Sequence, residues 1–529
     1  MLDLVIRHST VVDGTGAPEF PADLGIVRDR IAVVGRIGAD VPAAQVIDGT
    51  GLVTAPGFVD IHTHSDVNVI RHPDADSKLL QGVTTEVTGN CGFSPFPVAA
   101  EPRVTADHMA RVPDVGLLVP DWSDAVGYLD AVRRARPLTN VAPLVGHGAL
   151  RLSAMGHAQR PPDESEQEVM RRRLRDAMQA GCWGMSTGLT WSPSSYADPA
   201  EITDLAGIVA HHGGLYATHA RVYGDNEFGA VDEAIGVAHA TGVRVQLSHA
   251  ALNNPDNWGA ADRVLAAVDR AATAAADVSI DVYPYAASGG SLPQFLPDWV
   301  QQGGEPGWRS RLSDPGLRDR VLADIRRGWY RGIPWRWDRF TIARSSPADA
   351  SAIGRTLAEV ALRTGRSPAE AMIDLCLSSG DDLELVVHSR DEADVRAFLG
   401  YPNCAIGSDG SALPVGRRTG RPHPRTMGTF PRVLGRYVRA GVLDLPEAVR
   451  RCTRLPAERV GIPGRGVLRP GSFADLVVFD PARIADAATF ADPWQPPRGI
   501  RHVLVNGVWS VRDGVRTGDR GGRVLIARR

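Results

Sequence analysis

The sequence predicts an α/β protein whose largest part is a TIM-like (β/α)8 barrel, with a small β-rich domain built from both ends of the chain. Residues 56–455 alternate short apolar segments with helical segments, which is the pattern of parallel strands joined by helices. Residues 1–55 and 456–529 are strand-rich, and neither end alone has enough strands for a stable sheet. Residues 286–339 interrupt the alternation and predict an insertion into the barrel.

The two ends of the chain contain short β-type segments separated by turns. At the N-terminal end, Asp13-Gly14 and Gly16 supply turn residues between apolar runs. The strand candidates are residues 4–6, 11–12, 24–27 and 31–35 at one end, and 475–480 and 502–509 at the other. We therefore expect the two ends to come together as one domain.

The middle of the chain supplies eight strand candidates, which is the number that closes a parallel barrel. The first is the apolar run that ends at His62, and the others are residues 84–88, 141–145, 184–187, 215–218, 243–247, 278–282 and 404–407. Helices are predicted between them, for instance over residues 166–180 and after Ser367, where Pro368 suits the first helical position.

The interval 286–339 contains two Gly-Gly pairs, several prolines and five of the eleven tryptophans. So long an insertion in a barrel is more often a lid or a substrate-facing subdomain than a passive loop. The alternative is that it packs on the barrel wall. Its tryptophans are Trp299, Trp308, Trp329, Trp335 and Trp337.

The composition excludes several classes of protein. With 529 residues, a formal charge of −3 and 43% hydrophobic residues, the chain has the composition of a globular enzyme and no basic excess for nucleic-acid binding. No segment approaches the roughly 20 apolar residues of a membrane span, and the N-terminus does not read as a signal peptide, so we expect a cytoplasmic protein. The five cysteines are scattered without a Cys-x-x-Cys pair, which argues against a disulfide framework or a structural zinc module.

Two histidines one residue apart, His62 and His64, end the first barrel strand. Side chains alternate faces along a strand, so both point to the same side and their nitrogens can converge on one ion. Pro56-Gly57 precedes the strand and Ser65-Asp66 follows it, which places the pair at the carboxyl end of the strand, where barrel enzymes keep their active sites.

Other strand ends carry further candidate ligands. Cys91 follows the second strand, His219 ends the fifth, His249 ends the sixth and Asp409 follows the last. Thiolate, imidazole and carboxylate are the ligands expected of Zn²⁺. Each residue alone is more often a core residue, but the same position at four strand ends favours a metal site. His147 and His388 also end apolar segments and stay candidates, whereas His211-His212 is better explained as a helix end.

Several motifs resemble those of one family. They are residues 56–64 (PGFVDIHTH), 82–85 (GVTT), 89–94 (GNCGFS), 186–189 (STGL), 407–410 (GSDG), 422–425 (PHPR), 428–432 (GTFPR) and 469–477 (RPGSFADLV). Over nearly its whole length the chain resembles the N-acyl-D-amino-acid deacylases (D-aminoacylases) of the amidohydrolase superfamily. The resemblance implies a (β/α)8 barrel with a small β-sandwich from both termini.

The resemblance also implies a zinc-dependent hydrolase of N-acyl-D-amino acids. Many amidohydrolases bridge two metals with a carbamylated lysine, whereas this family uses the cysteine after the second strand. The single lysine of this chain, Lys78, precedes that strand, so Cys91 is the expected bridging or primary ligand. By resemblance, Cys91, His219 and His249 bind the tighter zinc, and His62, His64 and Asp409 define a second position. Asp409 is then also the general base that passes the water proton to the leaving amine.

For the substrate, the resemblance places Arg425 at the α-carboxylate, assisted by Tyr283. A carboxylate-binding serine is expected shortly after Tyr283, but the ungapped position is Gly289, so Ser288 would have to supply the hydroxyl. Arg221 is a further candidate, with pairing to an acid such as Asp225 as the alternative. Many relatives have an aromatic hydroxyl where this chain has Trp191, and some have a lysine soon after the sixth-strand histidine where this chain has Ala250-Ala251-Leu252. These losses favour hydrophobic side chains on the substrate.

Two other functions remain as alternatives. A hydantoinase-like or dihydroorotase-like hydrolase of cyclic amides shares the chemistry but relies on the lysine that this chain lacks. A non-catalytic scaffold that keeps the barrel predicts eroded ligand positions, and here they are all present. We expect a small-molecule substrate and neither nucleic acid nor membrane as partner, and the sequence leaves homo-oligomerisation open.

Overall fold

The computed structural model of the protein describes residues 1–528. Its β-strands are β1 (Leu2–Val11), β2 (Phe20–Val27), β3 (Arg30–Gly35), β4 (Ala43–Asp48), β5 (Val53–Pro56), β6 (Phe58–Asp60), β7 (Val83–Thr88), β8 (Asn140–Pro143), β9 (Val145–Gly146), β10 (Gly184–Gly188), β11 (Leu215–His219), β12 (Arg244–Leu247), β13 (Val278–Val282), β14 (Ser288–Ser291), β15 (Phe340–Arg344), β16 (Glu384–Val387), β17 (Cys404–Ile406), β18 (Leu476–Phe479), β19 (Ile500–Val505), β20 (Val508–Arg512) and β21 (Val515–Arg516).

The α-helices are α1 (Asn68–Arg71), α2 (Pro102–Ala110), α3 (Ala125–Ala135), α4 (His147–Met155), α5 (Glu164–Gln179), α6 (Pro199–His211), α7 (Glu227–Thr241), α8 (Ala261–Thr273), α9 (Asp298–Gln301), α10 (Gly304–Ser313), α11 (Arg318–Arg326), α12 (Leu357–Thr364), α13 (Pro368–Ser379), α14 (Glu392–Gly400), α15 (Arg425–Arg432), α16 (Leu445–Cys452) and α17 (Arg454–Val460). The predicted helix over residues 166–180 is α5, which Asp163 and Glu166 begin with a capping box. The helix predicted after Ser367 is α13, capped in the same way by Ser367 and Glu370.

The barrel prediction is confirmed. Strands β6, β7 and β8 pair in parallel, and so do β9 to β13 and β17 in that order. β8 and β9 are two parts of the third barrel strand, because β8 pairs with β7 and β9 with β10. A parallel bridge between Thr63 and Gly410 joins the first strand to the segment after the last, so that eight barrel strands form a ring within residues 1–528.

The predicted β-domain from both termini is also confirmed. Strands from the two ends form one hydrogen-bonded sheet, in which β5 lies beside β18 with Pro56 opposite Leu476. Apolar side chains from both ends share a core, for example Leu4 and Ile26 with Leu476 and Leu504. Burial of this shared face joins the two ends of the chain. The division points at residues 55/56 and 455/456 stay predictions.

The insertion between β13 and β17 forms its own sheet, in which β16 lies between β14 and β15 and pairs antiparallel with both. Its apolar core includes Trp308 and Trp329 and runs from Leu292 to Val387. The inserted unit therefore continues past residue 339, where the change of sequence rhythm placed its end. Among the helices of residues 1–528, none combines the length and the apolar character needed to cross a membrane.

Candidate active site

The donor atoms at the strand ends meet in two groups that share one thiol. Cys91 Sγ lies 3.3 Å from His62 Nε2 and 3.5 Å from His249 Nε2. In the first group, Asp409 Oδ1 is 3.0 Å from His64 Nε2 and 3.4 Å from His62 Nε2. In the second, His219 Nδ1 is 2.8 Å from His249 Nε2. Within each group the ligand atoms lie within 4.8 Å of one another, close enough to bind a single ion.

The ionisation of Cys91, His219 and His249 fits a bound cation. Burial raises the pKa of the Cys91 thiol to about 11, so a positive ion is needed to hold it as a thiolate. Burial lowers the pKa of His219 to about 3 and that of His249 well below its ordinary value, which keeps both imidazoles neutral, as metal ligands must be. Soft thiolate together with imidazole is the donor set that suits zinc.

Glycines let the cysteine loop reach the barrel mouth. A Cβ at Gly188 would lie 2.2 Å from the carbonyl oxygen of Cys91, and one at Gly146 would lie 2.5 Å from that of Gly92. Neither approach is compatible with a side chain, so the ends of β9 and β10 have to be glycine if Cys91 is to reach the histidines. The glycine of the STGL motif thus has a packing role at the metal site.

Asp281, on β13, contacts two of the predicted ligand residues and was not predicted from the sequence. Its Oδ1 lies 3.2 Å from His62 Nδ1 and accepts the backbone N–H of His249 at 2.8 Å, while Oδ2 accepts Gln246 Nε2 at 3.2 Å. A carboxylate on the far nitrogen fixes the orientation of a ligating histidine. The signal in the sequence is an aspartate inside a fully buried strand, two residues before Tyr283.

Lys78 is buried away from the ligands. Its ammonium pairs with Asp60 Oδ2 at 2.9 Å and contacts Ser408 Oγ. Asp60 in turn accepts the backbone N–H of Ser408 at 2.8 Å. The lysine thus joins the first and last barrel strands beneath the site, which agrees with the expectation that no lysine bridges the metal positions.

Arg425, at the start of α15, lies beside Asp409, with Nη1 2.6 Å from Oδ2. Burial raises the pKa of Asp409, but Arg425 and His62 outweigh burial and hold it well below its ordinary value. The ring of Tyr283 lies 4.7 Å from the Arg425 guanidinium carbon, and its buried hydroxyl has no hydrogen-bond partner within residues 1–528. A buried guanidinium beside an unpaired hydroxyl forms a place for an anion.

A cavity opens over these groups, and the aromatic side chains of the insertion form part of its wall. Trp191 packs on His219 with ring centroids 4.0 Å apart and donates from Nε1 to the hydroxyl of Tyr330 at 3.0 Å. Of the site residues predicted from the sequence, the cavity is lined by His64, His219, His249, Asp409, Trp191, Tyr283, Ser288 and Arg425.

Position 289, and not Ser288, faces the guanidinium of Arg425. A Cβ at Gly289 would lie 3.4 Å from Arg425 Nη2, so a serine at that position would face the guanidinium. Ser288 is the preceding residue of β14, and its hydroxyl lies 3.5 Å from that of Ser389 instead. Ser288 therefore borders the cavity without replacing the missing hydroxyl at Arg425.

Arg221 does not reach the cavity, which corrects the expectation that it faces the substrate. Its guanidinium pairs with Glu233 at 3.0 Å and donates to the carbonyl oxygens of Ser195 and Ala197. The alternative expectation, that Arg221 pairs with an acidic residue, agrees with this contact, although the acidic residue is Glu233 and not Asp225. With its donors used in this way, Arg221 connects barrel loops.

The other histidine candidates also lie elsewhere. His147 is fully buried between Glu201, 2.8 Å from Nε2, and Ser194, 3.0 Å from Nδ1. His388 packs against Phe490, with ring centroids 4.8 Å apart. His211 is the last residue of α6, as expected of a helix end.

Arg390 is the second residue that the sequence reasoning missed. It follows β16 of the inserted unit and lines the same cavity, 4.2 Å from the ring centroid of Tyr283. The expected preference for hydrophobic side chains rested on the loss of a cation from the pocket. Arg390 places another cation in the same cavity. A weak signal was available in the sequence, since His388-Ser389-Arg390 ends an apolar segment.

Parallel barrel strands whose carboxyl ends converge on a buried thiol, imidazoles and carboxylate define a metal-dependent barrel enzyme. Comparison with known proteins narrows this class. An amidohydrolase family model matches residues 45–511. The N-acyl-D-glutamate deacylase of Alcaligenes xylosoxydans xylosoxydans is 39% identical over 507 residues, covering 96% of this chain and 93% of that protein. The D-aminoacylase of the same organism is 37% identical over 527 residues, covering 99% and 97%.

A solved structure agrees over the full length. The N-acyl-D-glutamate deacylase of Bordetella bronchiseptica, complexed with zinc and a phosphonate inhibitor that mimics the tetrahedral intermediate, is 37% identical. The match has a TM-score of 0.84 and covers 99% of this chain and 100% of that one. The chain therefore belongs to the amidohydrolase family and, within it, to the N-acyl-D-amino-acid deacylases (D-aminoacylases).

Proposed function

We propose that this protein hydrolyses the amide bond of N-acyl-D-amino acids to a D-amino acid and a carboxylic acid, with zinc as cofactor. The observation that carries the proposal is the pair of donor groups sharing Cys91, set beside the Asp409–Arg425 pair in one cavity. Two relatives that are 37–39% identical over nearly the whole chain are named N-acyl-D-glutamate deacylase and D-aminoacylase, and a related N-acyl-D-glutamate deacylase was solved with zinc and a mimic of the tetrahedral intermediate.

Cys91, His219 and His249 hold the tighter zinc position, and His62, His64 and Asp409 form the second. A zinc ion held by these residues would polarise the amide carbonyl and lower the pKa of a water molecule. This assignment is supported by the shared thiol, which lies within 3.5 Å of a histidine nitrogen from each group. Asp281 keeps His62 oriented toward the thiol by holding its other ring nitrogen.

Asp409 is the general base. Its Oδ1 faces the histidines and its Oδ2 faces Arg425, so the carboxylate stands between the metal positions and the carboxylate-binding arginine. From there it takes a proton from the attacking water and gives it to the amide nitrogen, which leaves only as a protonated amine. The pKa of Asp409, held low by Arg425 and His62 against the effect of burial, keeps this carboxylate ionised before the reaction.

Arg425 and Tyr283 bind the α-carboxylate of the substrate. The guanidinium is buried, which strengthens an ion pair with an entering anion, and the Tyr283 hydroxyl lies nearby without a protein partner within residues 1–528. A substrate carboxylate at this place would fix the α-carbon relative to Cys91 and Asp409. This fixed anchor is what allows one configuration to be preferred.

The alternative functions are less well supported. A cyclic-amide hydrolase relying on a bridging lysine would need Lys78 at the barrel mouth, but Lys78 is committed to Asp60 and Ser408. A non-catalytic scaffold has no need for a buried thiol and neutral histidines in contact. A cytoplasmic location and assembly into homo-oligomers stay predictions.

The test is the release of free amino acid from paired N-acetyl-D- and N-acetyl-L-methionine, leucine and glutamate by the zinc-loaded protein. We expect turnover of D-substrates alone. Asp409→Asn should lower kcat by at least about 100-fold, because general acid–base catalysis contributes that much. Asp130→Asn, the same change at an exposed position of α3, is the matched control. No turnover of any of these substrates by zinc-loaded protein would reject the proposed function, and near-normal kcat in Asp409→Asn would reject the role of Asp409.

A further inference from the structure

Arg390 is a buried cation that no carboxylate neutralises by contact. Its relative exposure is 8%, and its Nε and Nη1 atoms have no hydrogen-bond partner within the described residues. None of the ion pairs formed by residues 1–528 includes it. A charge held away from water without a partner is costly, so a group that persists in this state is usually met by a ligand.

The guanidinium lies where a substrate would be. It borders the same cavity as Arg425, and the two arginines share Tyr283, whose ring centroid lies 4.2 Å from one guanidinium carbon and 4.7 Å from the other. The two carbons are therefore at most 8.9 Å apart, which is the sum of those distances. One small molecule with two carboxylates can reach both.

The carboxylates that line the cavity do not pair with Arg390. Asp409 is engaged with Arg425 and the histidines. Glu227, the other carboxylate lining the cavity, accepts the backbone N–H groups of Asn253 and Asn254, and its second oxygen accepts from Asn257. Neither carboxylate of the cavity lining forms an ion pair with Arg390.

The backbone around Arg390 holds it in place. Ser389 donates from its hydroxyl to Asn253 Oδ1 at 3.3 Å, which ties the segment after β16 to the loop after His249. That loop contributes Ala250, Ala251 and Leu252 to the cavity and no charge. The inserted unit, and not the barrel loop, supplies the cation on this side.

We propose that Arg390 binds a second carboxylate, on the substrate's side chain, so that the enzyme prefers N-acyl-D-amino acids with acidic side chains. The inference rests on the proposed function and specifies its substrate class. Arg425 takes the α-carboxylate, and Arg390 takes the side-chain carboxylate from the insertion side. The apolar walls around Arg390 exclude water and strengthen this pair.

The test compares N-acetyl-D-glutamate with its neutral isostere N-acetyl-D-glutamine. For the zinc-loaded wild type, we expect kcat/KM to be at least about tenfold higher for the glutamate substrate. Arg390→Met should bring the ratio close to one, mainly by raising KM for N-acetyl-D-glutamate, and leave N-acetyl-D-glutamine within about twofold. Arg390→Lys should retain part of the preference because it keeps the charge. Arg172→Met, at an exposed position of α5, is the matched control.

The outcomes separate the two proposals. Turnover of neither substrate, nor of N-acetyl-D-methionine, rejects the proposed function itself. Turnover without preference for the glutamate substrate overturns the role of Arg390. Equal losses for both substrates in Arg390→Met overturn it as well, because Arg390 would then serve the α-carboxylate or the fold. Should Arg390→Met not fold, the ratio measured in Arg390→Lys and Arg390→Gln decides: a ratio unchanged in the neutral glutamine variant overturns the proposal.

Discussion

Asp281→Asn should weaken zinc binding without removing any ligand. The carboxylate has hydrogen-bonding contacts with the ring of His62, the backbone of His249 and the amide of Gln246. Asparagine has nearly the same shape, but its NH2 group must face a donor at one of these contacts. Loss of a buried hydrogen bond to a charged group costs about 1.5–3 kcal/mol. Supporting groups of this kind typically change metal affinity by about 10–100-fold, which corresponds to about 1.4–2.7 kcal/mol.

The measurement is a zinc titration of the metal-free protein against a chromogenic chelator, so that the readout does not depend on turnover. Asp130→Asn again serves as the matched control, because its carboxylate is exposed on α3. We expect the zinc Kd to rise about 10–100-fold in Asp281→Asn and to stay unchanged in the control. An unchanged Kd in a variant whose circular dichroism spectrum matches the wild type would refute the positioning role.

Two further predictions follow from unpaired polar atoms. Tyr283→Phe should leave the free energy of unfolding of the substrate-free protein unchanged or higher, because the buried hydroxyl has no partner within residues 1–528. The same variant should raise KM for N-acyl-D-amino acids about five- to tenfold with little change in kcat, and an unchanged KM would contradict carboxylate binding by this residue. Burial lowers the pKa of His108 to about 3, below the value of 6.5 in the unfolded chain, so the unfolded state takes up the extra proton and stability is lost as pH falls from 6.5 toward 3. Between pH 7 and 4 this costs about 3 kcal/mol, and urea unfolding of His108→Leu should show a correspondingly smaller pH effect.

The fold was predictable because its signals are periodic. Each barrel strand is a short apolar run with a helix before the next, and this alternation gives the order of the elements without any knowledge of their contacts. The strand-rich segments at the two ends of the chain could be assigned to one domain because neither has enough strands to form a stable sheet alone. The insertion was visible as a break in rhythm. Its full extent was not, because β15 and β16 resemble barrel strands in composition, and only the antiparallel sheet in which β16 pairs with both β14 and β15 sets them apart.

The ligands were predictable for a related reason. A histidine or cysteine at the end of an apolar strand faces the same edge as its counterparts on other strands, so their convergence follows from topology. Arg390 and Asp281 could not be found in this way. Arg390 comes from the inserted unit, whose docking over the barrel depends on packing that no local pattern encodes. Asp281 lies within a strand, where the sequence alone does not distinguish an aspartate that supports metal ligands from a polar residue that points into the barrel core.

The backbone conformation at three of the proposed metal ligands is a feature that sequence patterns do not predict. Cys91, His249 and Asp409 have positive φ angles of 54°, 39° and 50°, and each follows closely after a barrel strand. Such a conformation costs a residue with a side chain about 1 kcal/mol or more, and glycine would avoid the cost. Glycine has no donor atom, however, and an extended backbone would carry the thiol, imidazole and carboxylate onward past the cavity. The left-handed conformation at these positions accompanies the convergence of the three side chains, whose donor atoms meet at the two metal positions.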